Sequence, residues 1–343
     1  MKRRWAILAA CFGVLGLGVL GVGGFGFAGA AQAQDGGRVA LQLREQVNQG
    51  TVGIVAGGVS GTYIRIAADL ADVLDREDQT LRVLAILGKG SVQNITDVLY
   101  LKGVDVAIVQ SDVLRFMENT RTHPTIHERI RYITKLYNEE FHLLAGADIS
   151  GVEDLAGRKV NFDVKGSGTF MTATTVFESL GIDVEPTHFD QALALEKLKA
   201  GEIDALVYVA GKPARLFADV GGDSALHFVP IPPSPALLET YLPGRLRHED
   251  YPALIGDGDA VPTIAVGAVM AVYNWDAQHP RYEKTATFVR GFFDNIAAFR
   301  QPPRHPKWQD VNLGAEVPGW RRFAPAEDWL NANRSEPAAT EGQ

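Results

Sequence analysis

Apolar residues recur along this chain in two periods, and the two alternate. Short unbroken runs of strand character fall at Val52–Ala56, Leu81–Leu87, Val104–Val109, Phe141–Ala145, Lys159–Phe162, Ala205–Val209 and Leu226–Val229. Between them lie stretches with apolar residues three and four apart: Thr62–Asp75, Ser91–Leu101, Ser111–Glu118, Thr169–Leu180, Gln191–Lys199 and Pro213–Asp219. In the first of these, Ile66, Leu70, Val73 and Leu74 share one helical face. Gly181 and Gly201 stand just past predicted helix ends, where a left-handed residue closes a helix. Unbroken apolar strands alternating with amphipathic helices predict the α/β class, with parallel strands covered on both faces.

The alternation breaks twice. Tyr132–Asp148 holds two strand-like runs with no helix between them, and a long apolar run at Thr263–Tyr273 follows the Pro- and Gly-rich stretch Pro230–Pro262. These are the expected crossings between two lobes. One lobe is expected to hold residues 50–142 plus 263–300, and the other residues 143–262. Such an arrangement leaves a ligand cleft between two sheets, lined by strand-end loops. Residues 301–330, rich in Pro and Trp, are expected to wrap the first lobe, and 331–343 to be disordered.

The N-terminus reads as an export signal. Lys2, Arg3 and Arg4 precede an apolar run from Trp5 to about Ala31, no acid precedes Asp35, and Ala31-Gln32-Ala33 fits a cleavage site. Residues 1–33 are therefore expected to be a signal peptide, with an uncleaved membrane anchor as the alternative, because the run is long and glycine-rich. Cleavage leaves 310 of the 343 residues and removes Cys11, the only cysteine. Such a mature chain has no disulfide and no multi-cysteine metal site, so its stability rests on a large core. Loss of the three basic residues takes the net charge from −8 to −11. That balance argues against nucleic acid and anionic membrane surfaces as partners.

The candidate chemistry sits in strand-to-helix loops. Thr51–Asp75 runs from a strand through Gly57, Gly58 and Gly61 directly into a helix. Small residues admit a ligand close to the backbone, and the new helix offers unpaired N–H groups and the positive end of its dipole. Similar loops recur at Gly88-Lys89-Gly90-Ser91 and Lys165-Gly166-Ser167-Gly168-Thr169. Ser60, Thr62 and Tyr63 in the first loop, Ser91, Gln93 and Asn94 in the second, and Ser167 and Thr169 in the third read either as ligand contacts or as helix caps. Gln110 and Ser111 follow a strongly apolar strand as further candidates, whereas Asp112 reads as a structural acid at the helix start. Tyr137, at the first crossing, reads equally as a solute contact or a hinge-packing aromatic. Lys89, Lys165 and Lys212 each occupy a strand-to-helix loop. If those loops converge, three ammonium groups would draw an anion carrying more than one charge into an acidic protein; lysines solvated on loops are the plain alternative.

Enzyme signatures are lacking. Gly58-Val59-Ser60-Gly61-Thr62 lacks the last glycine of a nucleophile elbow, and the first loop is not a dinucleotide fingerprint. His123 and His127 are interrupted by Pro124, and Asp257-Gly258-Asp259 reads as a turn. No catalysis, cofactor or metal is expected.

Taken together, GGVSGTY at 57–63, GSVQN at 90–94, VDVAIVQSDV at 104–113, LYNEEFHLLAGAD at 136–148, GVEDLAGRKVNF at 151–162 and GSGT at 166–169 resemble the TAXI family of solute-binding proteins. Their order and spacing cover about residues 50–300. The resemblance implies a two-lobed periplasmic-binding-protein fold and a small, carboxylate-type anionic solute. It further implies delivery of that solute to the membrane permease subunits of a TRAP-type transporter, and a periplasmic location. A ligand-sensing module for a signalling partner is the alternative use of the same fold. The chain departs from the family pattern at Ile64, at Lys89 and at Asp163-Val164-Lys165, all beside the candidate loops.

Overall fold

The computed structural model describes residues 38, 39, 41–43, 48–59, 61–218, 220, 221 and 225–334. The expected signal peptide lies outside them. The chain divides into residues 1–48 and 49–343. In the first part the described positions before residue 44 are helical, and Val39, Leu41 and Leu43 are exposed.

The second part is built on one mixed sheet. Its strands are β1 (Thr51–Val55), β2 (Arg82–Ile86), β3 (Val106–Gln110), β4 (Ile130–Ala145), β5 (Lys159–Asn161), β6 (Glu185–Thr187), β7 (Ala205–Ala210), β8 (His227–Phe228), β9 (Leu242–Arg247) and β10 (Ala260–Tyr273). They lie in the order β2-β1-β3-β10-β4-β7-β5-β6, with β9 beside β10 and β8 beside β4. The main helices are α1 (Thr62–Glu77), α2 (Ser91–Tyr100), α3 (Val113–Asn119), α4 (Gly168–Leu180), α5 (Gln191–Lys199), α6 (Pro280–Asp294) and α7 (Ala324–Ala332).

Two long strands make this sheet two lobes. β4 has 16 residues and β10 has 14, and they run antiparallel from Ala265 opposite Glu140 to Tyr273 opposite Ile130. The last part of β10, Ala268–Val272, pairs with β3, while the last part of β4, Glu140–Ala145, pairs with β7. Each long strand therefore serves both halves. On the first side, Ile54, Ile66, Leu70, Ile108, Phe288 and Phe292 fill one face of the sheet, and Val55, Ile95, Val109 and Met117 the other. On the second, Phe141, Val160, Phe177 and Val207 fill one face, and Leu144, Leu195, Leu206 and Phe217 the other. Apolar side chains on both faces are what the unbroken apolar runs require.

The structure departs from the sequence reading at several places. The two strand-like runs across 132–148 are one strand, which continues through the polar triplet Asn138-Glu139-Glu140. Strand β9 lies within the stretch read as Pro- and Gly-rich connection. Pro243 stands opposite Ile264 in it, on a flanking strand that tolerates a missing donor. The helix pattern at Pro213–Asp219 is a single 3-10 turn, Arg215–Phe217. The tail is ordered past residue 331, since α7 includes Asn331 and Ala332. One turn earlier, Trp329 donates to Asp294 at 2.7 Å and packs edge-on against Phe293. Upstream, Trp308 is fully buried in the first lobe's core and its indole N–H donates to Asp69 at 2.8 Å.

Candidate functional site

The ends of β1, β3, β5 and β7 meet around a cavity of about 350 Å³ between the lobes. Its first wall is the loop from β1 into α1. Gly61 is the N-cap, with extended backbone and no side-chain acceptor, so the first N–H groups of a 16-residue helix have no capping oxygen. Thr62 Oγ1 donates across the lobes to the carbonyl of Gly211 at 3.4 Å. The Tyr63 ring lies under Gly57, and its hydroxyl donates to Glu139 Oε2 at 2.5 Å.

The second loop braces this wall. Asn94 donates to the carbonyls of Ala56 (2.7 Å) and Ile108 (2.9 Å) and accepts from Gly90 N–H (3.2 Å), tying two strand ends to the start of α2. A Cβ on Gly88 would lie 2.5 Å from Asn94 Oδ1, so glycine is required there. Ser91 Oγ accepts from Gln110 N–H at 2.9 Å. The Gln93 side chain bonds Asp97 at 2.9 Å, while its backbone N–H donates across the lobes to Gly166 at 3.0 Å.

The wall from the second lobe is satisfied internally except at one atom, Gln191 Oε1. Ser167 caps α4 by accepting from Phe170 N–H at 3.0 Å, and Thr169 Oγ1 accepts from Val209 N–H at 3.1 Å. Asp190 caps α5 through Leu193 N–H at 3.2 Å. Gln191 donates to the Val207 carbonyl at 3.0 Å, and its buried Oε1 has no partner among the described residues.

The polar lining is more acidic than basic. Glu139, Asp163 and Asp190 line the cavity, with Lys89 as the one lysine or arginine among the described lining residues. Burial pushes the Glu139 carboxyl up to about 8 against the lowering effect of the Tyr63 hydroxyl, and burial raises Asp163 to about 6. Just outside the cavity, burial also raises Asp112 to about 6. It accepts from Thr172 (3.0 Å) and Tyr241 (3.2 Å) of the second lobe. Glu140 faces the other way, toward Lys307 at 3.7 Å and Lys212 N–H at 3.1 Å.

Of the candidates read from the sequence, Thr62, Tyr63, Lys89, Gln110, Ser167 and Thr169 line the cavity. Ser91, Gln93 and Asn94 brace its wall, and Ser60 lies outside the described residues. Ser111 faces a different cleft. Tyr137 is buried beneath Gly211, where a Cβ would come within 3.0 Å of its ring. The three lysines do not converge. Lys165 lines a groove on the outer side of α4 with Phe170 and Phe177, and Lys212 is held by Asp250 (2.9 Å) and the Arg245 carbonyl (2.7 Å). A loop position fixes where a lysine starts; its long side chain follows the nearest acid and carbonyl. Glu139, Asp190, Gln191 and Tyr208 were not singled out from the sequence, and Asp163 only as a departure from the family pattern. For Glu139 the signal was available as acids interrupting an apolar strand.

The two lobes touch around the cavity. A Cβ on Gly90 would stand 3.0 Å from Gly168 N, and one on Gly168 would stand 2.4 Å from Gln110 Oε1. Two α/β lobes, joined by two long strands and meeting around a cavity, make this a two-lobed α/β fold. The chain belongs to the NMT1-like family, whose model matches residues 54–301. Similar solved structures include MatC (Rpa3494) from Rhodopseudomonas palustris with bound malate, at 14% identity and TM-score 0.49, covering 82% of this chain and 95% of that one. The periplasmic binding protein BugD is 14% identical with TM-score 0.48, covering 81% and 91%. An ancestral arginine-binding protein bound to arginine is 14% identical with TM-score 0.44, covering 72% and 93%.

Proposed function

We propose that this chain is an exported solute receptor of TAXI type that closes on a small carboxylate-bearing molecule and presents it to the permease of a TRAP-type transporter. The single observation that carries the reading is the cavity itself, whose lining comes from both lobes and over which the lobes meet at Gly90, Gln93, Gly166 and Gly168. A ligand that contacts both lobes only when they are closed shifts the population toward the closed state. The N-terminal export pattern supports a periplasmic location for the mature chain. We assign residues 50–142 with 263–300 to one lobe and 143–262 to the other.

The charge distribution shapes the solute. One carboxylate suits the uncapped start of α1, with Thr62 beside it and Lys89 near the rim. On the floor and far wall, Gln191 Oε1 calls for a hydrogen-bond donor, and Glu139 and Asp163, which already accept from Tyr63 and from Val164, Ser167 and Gln191 respectively, favour a cationic one. A multiply charged anion would meet these acids instead of three lysines. The reading therefore favours a carboxylate paired with an amine or hydroxyl over a dicarboxylate.

A thermal-shift screen of the mature protein against amino acids, hydroxy acids and dicarboxylates tests this. A true solute at a hundred times its Kd stabilises by about 2.7 kcal/mol. A screen in which no small carboxylate raises the Tm refutes the proposal.

A further inference from the structure

A second cavity, of about 650 Å³, lies beside the crossing strands and shares no lining residue with the first. Its walls come from α3 and its approach, from β10 at Val266 and Gly267, from the tail at Trp320, and from the second-lobe segment 238–242. The lining mixes apolar and polar groups: Trp320 stands on one side, Leu238 and Leu242 are unusually exposed at the edge, at 45% and 46%, and Leu114 and Val266 lie almost fully buried behind the surface. Trp320 is fixed there by its indole N–H, which donates to the Ser111 carbonyl at 2.8 Å.

Into this cleft comes Lys135. The lysine is half-buried, and its ammonium has no hydrogen bond or ion pair among the described residues. Its stem crosses β10 where glycine leaves a notch, since a Cβ on Gly267 would lie 3.1 Å from Lys135 Cε. Burial lowers its pKa, the signature of a cation set among apolar neighbours without a counterion. The other charges do not supply one. Asp112 accepts from Thr172 and Tyr241 through Oδ2 while its buried Oδ1 has no partner among the described residues, and Glu118 pairs with His127 at 3.1 Å. Glu239 and Glu316 are exposed, and Arg115 has only Thr240 Oγ1, at 3.3 Å.

We propose that this cleft is a second ligand site, for an amphiphilic monocarboxylate whose headgroup pairs with Lys135 and whose apolar body lies against Trp320, Leu238 and Leu242. Arg115 is the second cation within the cleft. The walls belong to both lobes, so an occupant is thermodynamically linked to the closure that governs the main cavity.

Isothermal titration of the full chain with octanoate, and separately with octanol, tests the site. Octanoate is expected to bind saturably at one site. Lys135→Gln is expected to weaken that binding at least tenfold, Lys135→Arg to retain it, and octanol to be indifferent to both changes. Two results would each overturn the site: no saturation, or no response to Lys135→Gln. Should Lys135→Gln fail to fold by circular dichroism, labelled octanoate with the unaltered chain decides: nuclear Overhauser contacts to the Trp320 indole are expected, and their absence overturns the site.

Discussion

Two glycine-rich loops of nearly the same composition face each other across the main cavity, and their backbones are in opposite states. The loop 57–63 leads into α1 with no side-chain cap, whereas the loop 163–169 caps α4 with Ser167 and spends Thr169 on Val209 N–H. Glycine and hydroxyl content alone suggested two equivalent anion cradles. Capping decides otherwise: a helix start already occupied by its own side chain has less to offer a ligand. The first lobe keeps unsatisfied N–H groups, and the second lobe and the floor contribute Asp163, Asp190 and Glu139. The cavity therefore has a donor end and an acceptor end.

The largest expected effect tests whether the two loops must meet. Gly168→Ala places a methyl 2.4 Å from Gln110 Oε1 and 2.7 Å from Ser91 Oγ across the lobe boundary. Solute affinity should fall about a hundredfold, or about 2.7 kcal/mol, and small-angle scattering should show no contraction when solute is added. Full affinity in this variant would mean that binding does not require the lobes to meet here.

The next tests the acceptor end. Glu139 has its pKa raised from 4.5 to about 8, so between those values the folded state holds a proton that the unfolded state releases. Its contribution is fully present below pH 4.5 and is lost as pH rises toward 8. Stability should decline across that window, on the order of 5 kcal/mol at most, and Glu139→Gln should flatten the slope. Urea melts at several pH values give the answer, and identical slopes would deny that Glu139 is buried as described.

A smaller contrast separates the loops directly. Thr169→Ala removes the acceptor of a buried N–H and should cost about 1–2 kcal/mol in urea denaturation. Thr62→Ala loses only a long 3.4 Å contact, and should cost less than about 0.5 kcal/mol while weakening solute binding severalfold. Equal stability losses would erase the distinction between a spent and an unspent loop. The smallest effects concern the lysines. Lys212→Met should lower stability by up to about 1 kcal/mol through the Asp250 pair and leave the salt dependence of solute binding unchanged. Lys89→Met should lessen that salt dependence without altering stability.

Much of this was legible in the chain. The apolar runs mark the strands because both faces of the sheet are covered, and α5 coincides with its predicted span, Gln191–Lys199. The glycines of the first loops were informative because close approach requires them at positions such as Gly88 and Gly168. Side-chain direction was not legible. Lys212 bonds to residues 33 and 38 positions away, and nothing local announces Asp250. Tyr137 stands beside the cavity in sequence yet is buried beneath Gly211. Glu139 is the reverse case, an acid inside a strand, which becomes intelligible once a cavity opens beside it.

If the cavity pairs a donor end with an acceptor end, ligands matched in skeleton and differing in charge will separate. Isothermal titration at neutral pH should compare an amino acid found by screening with the dicarboxylate and the deaminated acid of the same skeleton, in two buffers of different ionisation enthalpy. Tightest binding is expected for the amino acid, with release of protons as Glu139 ionises against the amine. Tighter binding of the dicarboxylate, with proton uptake or none, would contradict it.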